Sequence, residues 1–200
     1  MTRIAAVLVR QRVAQAAPPG VDPARFLEAV AEDTYEMVAG LELVTPVLIT
    51  SVPELEEIVW PGTEVITIKD DEPLKIILER LKADQADQAD QAAVISADAP
   101  DLPPLLVGKL FRELGRAEIT VCPAENGGAV AMACALPPPT WADPDLDDER
   151  IVTTLRAQAP GPRRVATTPG WHRLRTPDDV ERLDPGLEGW ESTRALIRAR

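Results

Sequence analysis

Two carboxylates three residues apart, Asp98 and Asp101, stand in the stretch Ser96-Ala97-Asp98-Ala99-Pro100-Asp101-Leu102-Pro103, directly after an apolar run. Hard divalent ions such as Mg²⁺ or Mn²⁺ take oxygen ligands, so acids spaced this way at a strand end could hold one. The ion could in turn bind a diphosphate. The same residues have a plainer reading, in which Asp98 holds the turn and Asp101 caps the following helix. A second candidate is Pro123-Ala124-Glu125-Asn126-Gly127-Gly128. Its paired glycines let backbone approach a ligand closely, with Glu125 in reach. As structure alone it is a tight turn, Asn126-Gly127 supplying positive φ. His172, the only histidine, sits between Trp171 and Arg173 and reads as a loop residue without a catalytic task. Arg163, Arg164, Arg173 and Arg175 either face a phosphate or an acidic partner, or are solvated charge.

Positioning these residues requires strands and helices in alternation. Ile4–Val9 is too short and too apolar for a helix and reads as a buried strand feeding a loop through Pro18-Pro19-Gly20. A helical period then runs from Pro23, with Asp22 as cap, Phe26, Leu27, Val30, Thr34, Met37, Val38 and Leu41 on one face, and Gly40 near its end. Strands follow at Val47–Thr50, Glu64–Ile68, Ala93–Ala97, Ile119–Cys122 and Val130–Ala135. Between and after them come helices at Pro53–Val59, from Leu74, at Pro103–Leu114 and at Asp147–Ala159. Arg164–Thr168 reads as a strand, Pro177–Leu183 as a short helix, and the tail from Leu187 as helical. The three-residue repeat over 83–92 drifts around a helix and makes no fixed apolar stripe, so it reads as a solvated helix extension or a flexible segment. The alternation predicts one α/β domain with a mainly parallel central sheet, whose ligands sit at the carboxyl ends of strands.

Composition narrows the function classes. With 45% hydrophobic and 27% charged residues over 200 positions, the chain can bury a core without a metal or disulfide staple. A net charge of −12 argues against a general binder of nucleic acid or anionic membranes. The positive charge is concentrated late, with ten Arg against six acids over 150–200. Cys122 and Cys134 lack CxxC spacing, which argues against a metal knuckle or a redox pair and fits a reducing, cytoplasmic setting. No run is long enough for a membrane span, and the short apolar start is no signal peptide. The Ala-rich, Lys-poor composition suggests a high-GC bacterial source.

Taken in this order, the motifs resemble those of bacterial glycosyltransferase-like proteins of the radical-SAM/selenodomain-associated transferase type, within the nucleotide-diphospho-sugar transferase superfamily. Asp98-Ala99-Pro100-Asp101-Leu102 matches that family's Ser-Asp-Cys-Pro-Asp-Leu type motif. Pro123 to Gly128 matches its Pro-Ala-x-Asp-Gly-Gly stretch, Trp141 echoes its Trp before an acidic segment, and Thr176-Pro177-Asp178-Asp179-Val180 matches its late Thr-Pro-Glu-Asp-Leu in part. The resemblance covers most of the chain. It implies a three-layer GT-A type fold and transfer from a nucleotide-activated donor, glycosyl or nucleotidyl. In that scheme Mg²⁺ or Mn²⁺ sits at Asp98 and Asp101, Asp98 and Glu125 are the catalytic candidates, and Arg10, Arg12, Asn126, Gly127 and Gly128 hold the nucleotide or nucleotide-sugar. Three departures stand at these positions. The first loop holds Arg10 and Arg12 but no Lys, Asn126 replaces an Asp, and His172-Arg173-Leu174-Arg175 replaces an Asp-x-Asp. The implied outcome is a retained fold with an eroded site, or a non-catalytic relative that binds a nucleotide or a protein.

Overall fold

Six parallel strands and one antiparallel strand make a sheet of order β3-β2-β1-β4-β6-β5-β7. The strands are β1 (Arg3–Val9), β2 (Thr45–Thr50), β3 (Glu64–Thr67), β4 (Gln91–Ser96), β5 (Ile119–Pro123), β6 (Ala129–Ala135) and β7 (Val165–Thr167). The computed structural model describes residues 2–84 and 89–199. Part of the three-residue repeat, 85–88, therefore lies outside the described residues.

Sequence alternation decides the layering. In β1, Ala5, Val7 and Val9 face one core, while Ile4, Ala6 and Leu8 face the other. The first core is closed by α1 (Pro23–Ala39), α3 (Pro104–Glu113) and the partly buried Leu196 and Ile197 of α5 (Glu191–Arg198). The second is closed by α2 (Leu74–Asp84), through Ile77, Leu78 and Leu81, and α4 (Ile151–Gln158), through Ile151 and Leu155. Strands buried on both faces between helices account for the near-continuous apolar runs read in the sequence. Asp22 caps α1, its side chain accepting from the Arg25 N–H at 2.9 Å, and Pro23 takes the first helical position.

Three expectations change. The loop after β1 contains a 3-10 helix, Gln11–Ala16. The helix placed at Asp147–Ala159 starts only at Ile151, so Asp145 to Asp148 form an irregular segment. Asp101 does not cap α3, whose N-cap position is Pro103.

α5 is held by a cap from another helix. Asp33 of α1, 1% exposed, accepts from the Ser192 and Thr193 N–H groups at 3.0 and 2.7 Å. These are two of the donors that an α-helix start leaves without intrahelical partners. Burial pushes the Asp33 carboxyl up to about 6, against the opposing pull of these hydrogen bonds.

Candidate functional site

β1 and β4 are parallel neighbours, so the loops after Val9 and Ser96 leave the same edge of the sheet. A third segment crosses that edge. Its backbone donates from Thr168 to the Val121 carbonyl, from Trp171 to that of Pro123, and from Leu174 to that of Asp98 at 2.7 Å. This crossing brings Arg173 to a partner 75 residues away in sequence.

Arg173 is 1% exposed and its guanidinium ends in a cage of oxygens. Nε donates to both carboxylate oxygens of Asp98, at 2.8 and 3.0 Å. Nη1 donates to the Leu146 carbonyl at 3.0 Å and to Asp147 Oδ1 at 2.9 Å, and Nη2 to Ser96 Oγ at 2.9 Å. Burial pulls the Arg173 pKa down, but Asp98 and then Asp147 outweigh it, and the net direction is up. The guanidinium is a permanent cation in a neutralised setting.

Asp98 therefore lies at the carboxyl end of a central strand, as expected, and lines a cavity of about 280 Å³ together with Arg12, Gln15, Asp147, Leu174 and Arg175. The expected metal pair is not brought together on one ion, because the two carboxylates serve different partners. Asp101, also buried, accepts from Trp171 Nε1 at 3.1 Å and from the Asp184 N–H at 2.9 Å, and pairs with His172 Nε2 at 3.0 Å. The Trp171 and His172 rings stack at 4.8 Å. Asp101 thus ties the crossing segment to the C-terminal part, and His172 has a structural task. The oxygen types around Arg173 would suit a hard divalent ion, but the side chain already fills them. These residues do not fit such an ion while Arg173 is in place.

The remaining candidates change role as well. Arg10 donates to the backbone carbonyls of Asp70 and, at 2.6 Å, Glu72. Burial first, and then neighbouring Arg12, lower its pKa. Arg12 is paired with Asp147. Neither is a free phosphate clamp. Glu125, with its side chain 62% exposed, is 3.8 Å from Arg182 and does not line the cavity at Asp98. Asn126 Nδ2 donates to the Arg173 carbonyl at 2.9 Å, bracing the crossing segment instead of a ligand. Gly127 and Gly128 do supply the positive φ of the turn, at 91° and 78°. At Gly128 the space goes to the protein itself, since a Cβ there would lie 2.4 Å from the Leu146 carbonyl and 2.9 Å from Arg175 Nη2. Arg163 and Arg164 flank β7, where Arg164 pairs with Glu118, away from this site.

Sequence reading missed Asp147 as a site residue. It takes Arg12 on one oxygen, and on the other Arg173 and, at 3.0 Å, Arg175. The available signal was charge: a Trp-His-Arg-Leu-Arg run in place of acids needs carboxylates elsewhere to balance it. A cavity of about 500 Å³ that shares Arg12 and Asp147 with the first is lined by Arg10, Arg12 and six carboxylates drawn from 70–72 and 143–147. No cluster of three or more His, Cys, Asp or Glu suited to a metal occurs among the described residues.

No protein-family model matches the chain, and no curated protein matches it in sequence. Solved structures share its fold. A protein from Desulfovibrio desulfuricans, described as a nucleotide-diphospho-sugar transferase, aligns over 100% of this chain and 98% of its own, with a TM-score of 0.68 and 16% identity. CMP:2-keto-3-deoxy-manno-octonic acid synthetase, solved with CTP, aligns over 100% and 99% with a TM-score of 0.55 and 14% identity. Rv0371c of Mycobacterium tuberculosis, solved with manganese, aligns over 100% of both chains with a TM-score of 0.54 and 17% identity. The chain thus has the α/β fold of the nucleotide-diphospho-sugar transferase and nucleotidyltransferase-like proteins, with a seven-stranded, mostly parallel sheet.

Proposed function

We propose that this chain is a nucleotidyltransferase-like protein that binds a nucleotide at the carboxyl edge of its sheet and has lost divalent-ion-dependent transfer. The carrying observation is Arg173, which holds both oxygens of Asp98 from within a cage of oxygen atoms. Transfer from a nucleotide diphosphate develops negative charge on the leaving group, and a site must aim cations at it. Here the most deeply placed cation is spent on Asp98 and Asp147, and Arg10 on backbone carbonyls. Support for nucleotide binding comes from the neighbour solved with CTP and from the cavity at the strand ends. The likeness to radical-SAM-associated transferases rests on the sequence motifs, and the proposal includes it as ancestry. The two free, buried cysteines agree with the cytoplasmic setting it assumes.

Thermal unfolding with nucleoside triphosphates and nucleotide sugars, with and without Mn²⁺, tests the reading. Saturating nucleotide is expected to add on the order of 2–3 kcal/mol, a rise of several degrees, equal in both conditions. Radiolabelled donors are expected to show no transfer. Mn²⁺-dependent turnover abolished by Asp98→Ala would overturn the loss of catalysis, and the absence of any nucleotide-induced shift would overturn the binding.

A further inference from the structure

We propose that the helical face over the first core is a dimerisation surface, on which α1 of each copy lies along α3 of the other. α1 presents a stripe of Arg25, Glu28, Glu32 and Glu36, one residue for each helical turn, all exposed or half-buried. α3 and the turn after it present Leu105, Lys109, Arg112 and Arg116 at the same spacing. The stripes are opposite in sign. α1 sets three Glu against Arg25, its remaining acid, Asp33, being buried under α5. α3 sets three cations against Glu113, which pairs with Arg112 and Arg116. Arg3, over the Phe111 ring, adds to the basic side. On α5, Glu191 pairs with Arg194 and Arg198 remains.

Topology lets a second copy satisfy both stripes at once. β1 is parallel to β4, so α1 and α3 leave the same sheet edge and run back across the sheet in the same direction. A two-fold axis along that direction lays α1 on the partner's α3, with the helices parallel, and makes the same contact twice. One register then aligns every level: Lys109 meets the partner's Glu28, Arg112 its Glu32 and Arg116 its Glu36. Leu105, 67% exposed, comes level with Ala24 and Arg25, beside a groove of about 230 Å³ that Val21, Leu196 and Ala199 help to line. Gly108 fits the same contact. A glycine inside a helix weakens it, and nothing in this chain lies within 4 Å of where its Cβ would stand, whereas a second helix could approach closely there. Among the described residues, the side chains of Glu28, Glu32, Glu36 and Lys109 make no hydrogen bond or ion pair that a dimer would have to break. An unrelated partner would need both stripes in reverse, and a second copy already carries them.

Sedimentation velocity of the full chain over a micromolar range of concentration, at low and high salt, tests the surface. Wild type is expected to show a reversible monomer–dimer equilibrium that salt weakens. Glu28→Lys and Lys109→Glu are each expected to weaken self-association about tenfold, because one substitution sets like charges opposite each other at two places. An equimolar mixture of these two variants is expected to recover the wild-type affinity, since unlike charges then face each other at both places. Leu105→Asp is expected to weaken the dimer, and Arg163→Glu, beside β7, to leave it unchanged. Circular dichroism confirms that each variant is folded. A monomer at every concentration would overturn the proposal, as would a dimer indifferent to Glu28→Lys, Lys109→Glu and Leu105→Asp. Single variants that weaken association, with a mixture that does not recover it, would overturn the reciprocal pairing of α1 with α3.

Discussion

Replacing Arg173 with methionine removes a charge but keeps an unbranched stem to fill the buried channel. It deletes five hydrogen bonds to Asp98, Leu146, Asp147 and Ser96. Asp147 keeps Arg12 and Arg175 and stays partly exposed, so its loss is small. Asp98, 3% exposed, keeps no side-chain partner and dominates the cost. Breaking a buried pair by removing one partner costs about 3–5 kcal/mol. For a chain of this size that lowers the thermal midpoint by roughly 6–20 °C. Urea unfolding of wild type, Arg173→Met, Asp98→Leu and the double variant closes a cycle. Each single change is expected to be costly and the double change much less so, because an apolar pair of similar volume does not strand a charge. A third arm tests the cage itself. Arg173→Ala leaves the oxygens of Asp98, Asp147, Leu146 and Ser96 around a gap, so Mn²⁺ is expected to raise its thermal midpoint but not that of wild type. A single-variant loss below about 1 kcal/mol, or coupling near zero, would refute the claim that Asp98 depends on Arg173.

Asp33 makes stability pH-dependent with an inverted sign. Its folded pKa is raised to about 6, so the folded state takes up a proton first and this group's contribution falls as pH rises from about 4 to 6. Relative to Asp33→Asn, wild type is expected to gain about 2 kcal/mol between pH 7.5 and 4.5, read by urea unfolding; a gain in the opposite direction would refute the assignment. Gly127 and Gly128 separate backbone strain from close approach. Both have positive φ, but only at Gly128 would a Cβ meet backbone, the Leu146 carbonyl at 2.4 Å, while at Gly127 the nearest atom is Glu149 Cγ at 3.5 Å. Chemical denaturation is expected to show a loss of about 1 kcal/mol for Gly127→Ala and about 3 kcal/mol for Gly128→Ala. Equal losses would show that the fit against Leu146 contributes nothing.

Much of the fold was legible in the sequence because its determinants are local. Ile4–Val9 is a strand because a short β-branched run must be buried on both faces. α1 begins at Pro23 because Asp22 can satisfy an orphan N–H there, and Asp98 follows a strand because Ala93–Ala97 precedes it. The order of strands, the antiparallel insertion of β6 between β4 and β5, and the extent of the 145–148 segment depend on contacts between distant residues. The same division runs through the site. The residue types announced a strand-edge cluster, and the basic run at 172–175 announced that acids had been replaced. Charges act through space, so only the tertiary structure could decide that Asp98 answers to Arg173, Asp101 to His172 and Trp171, and Asp147 to three arginines. Each of these pairings joins elements separated in the chain by tens of residues, and the crossing segment over the sheet edge brings them within hydrogen-bond distance.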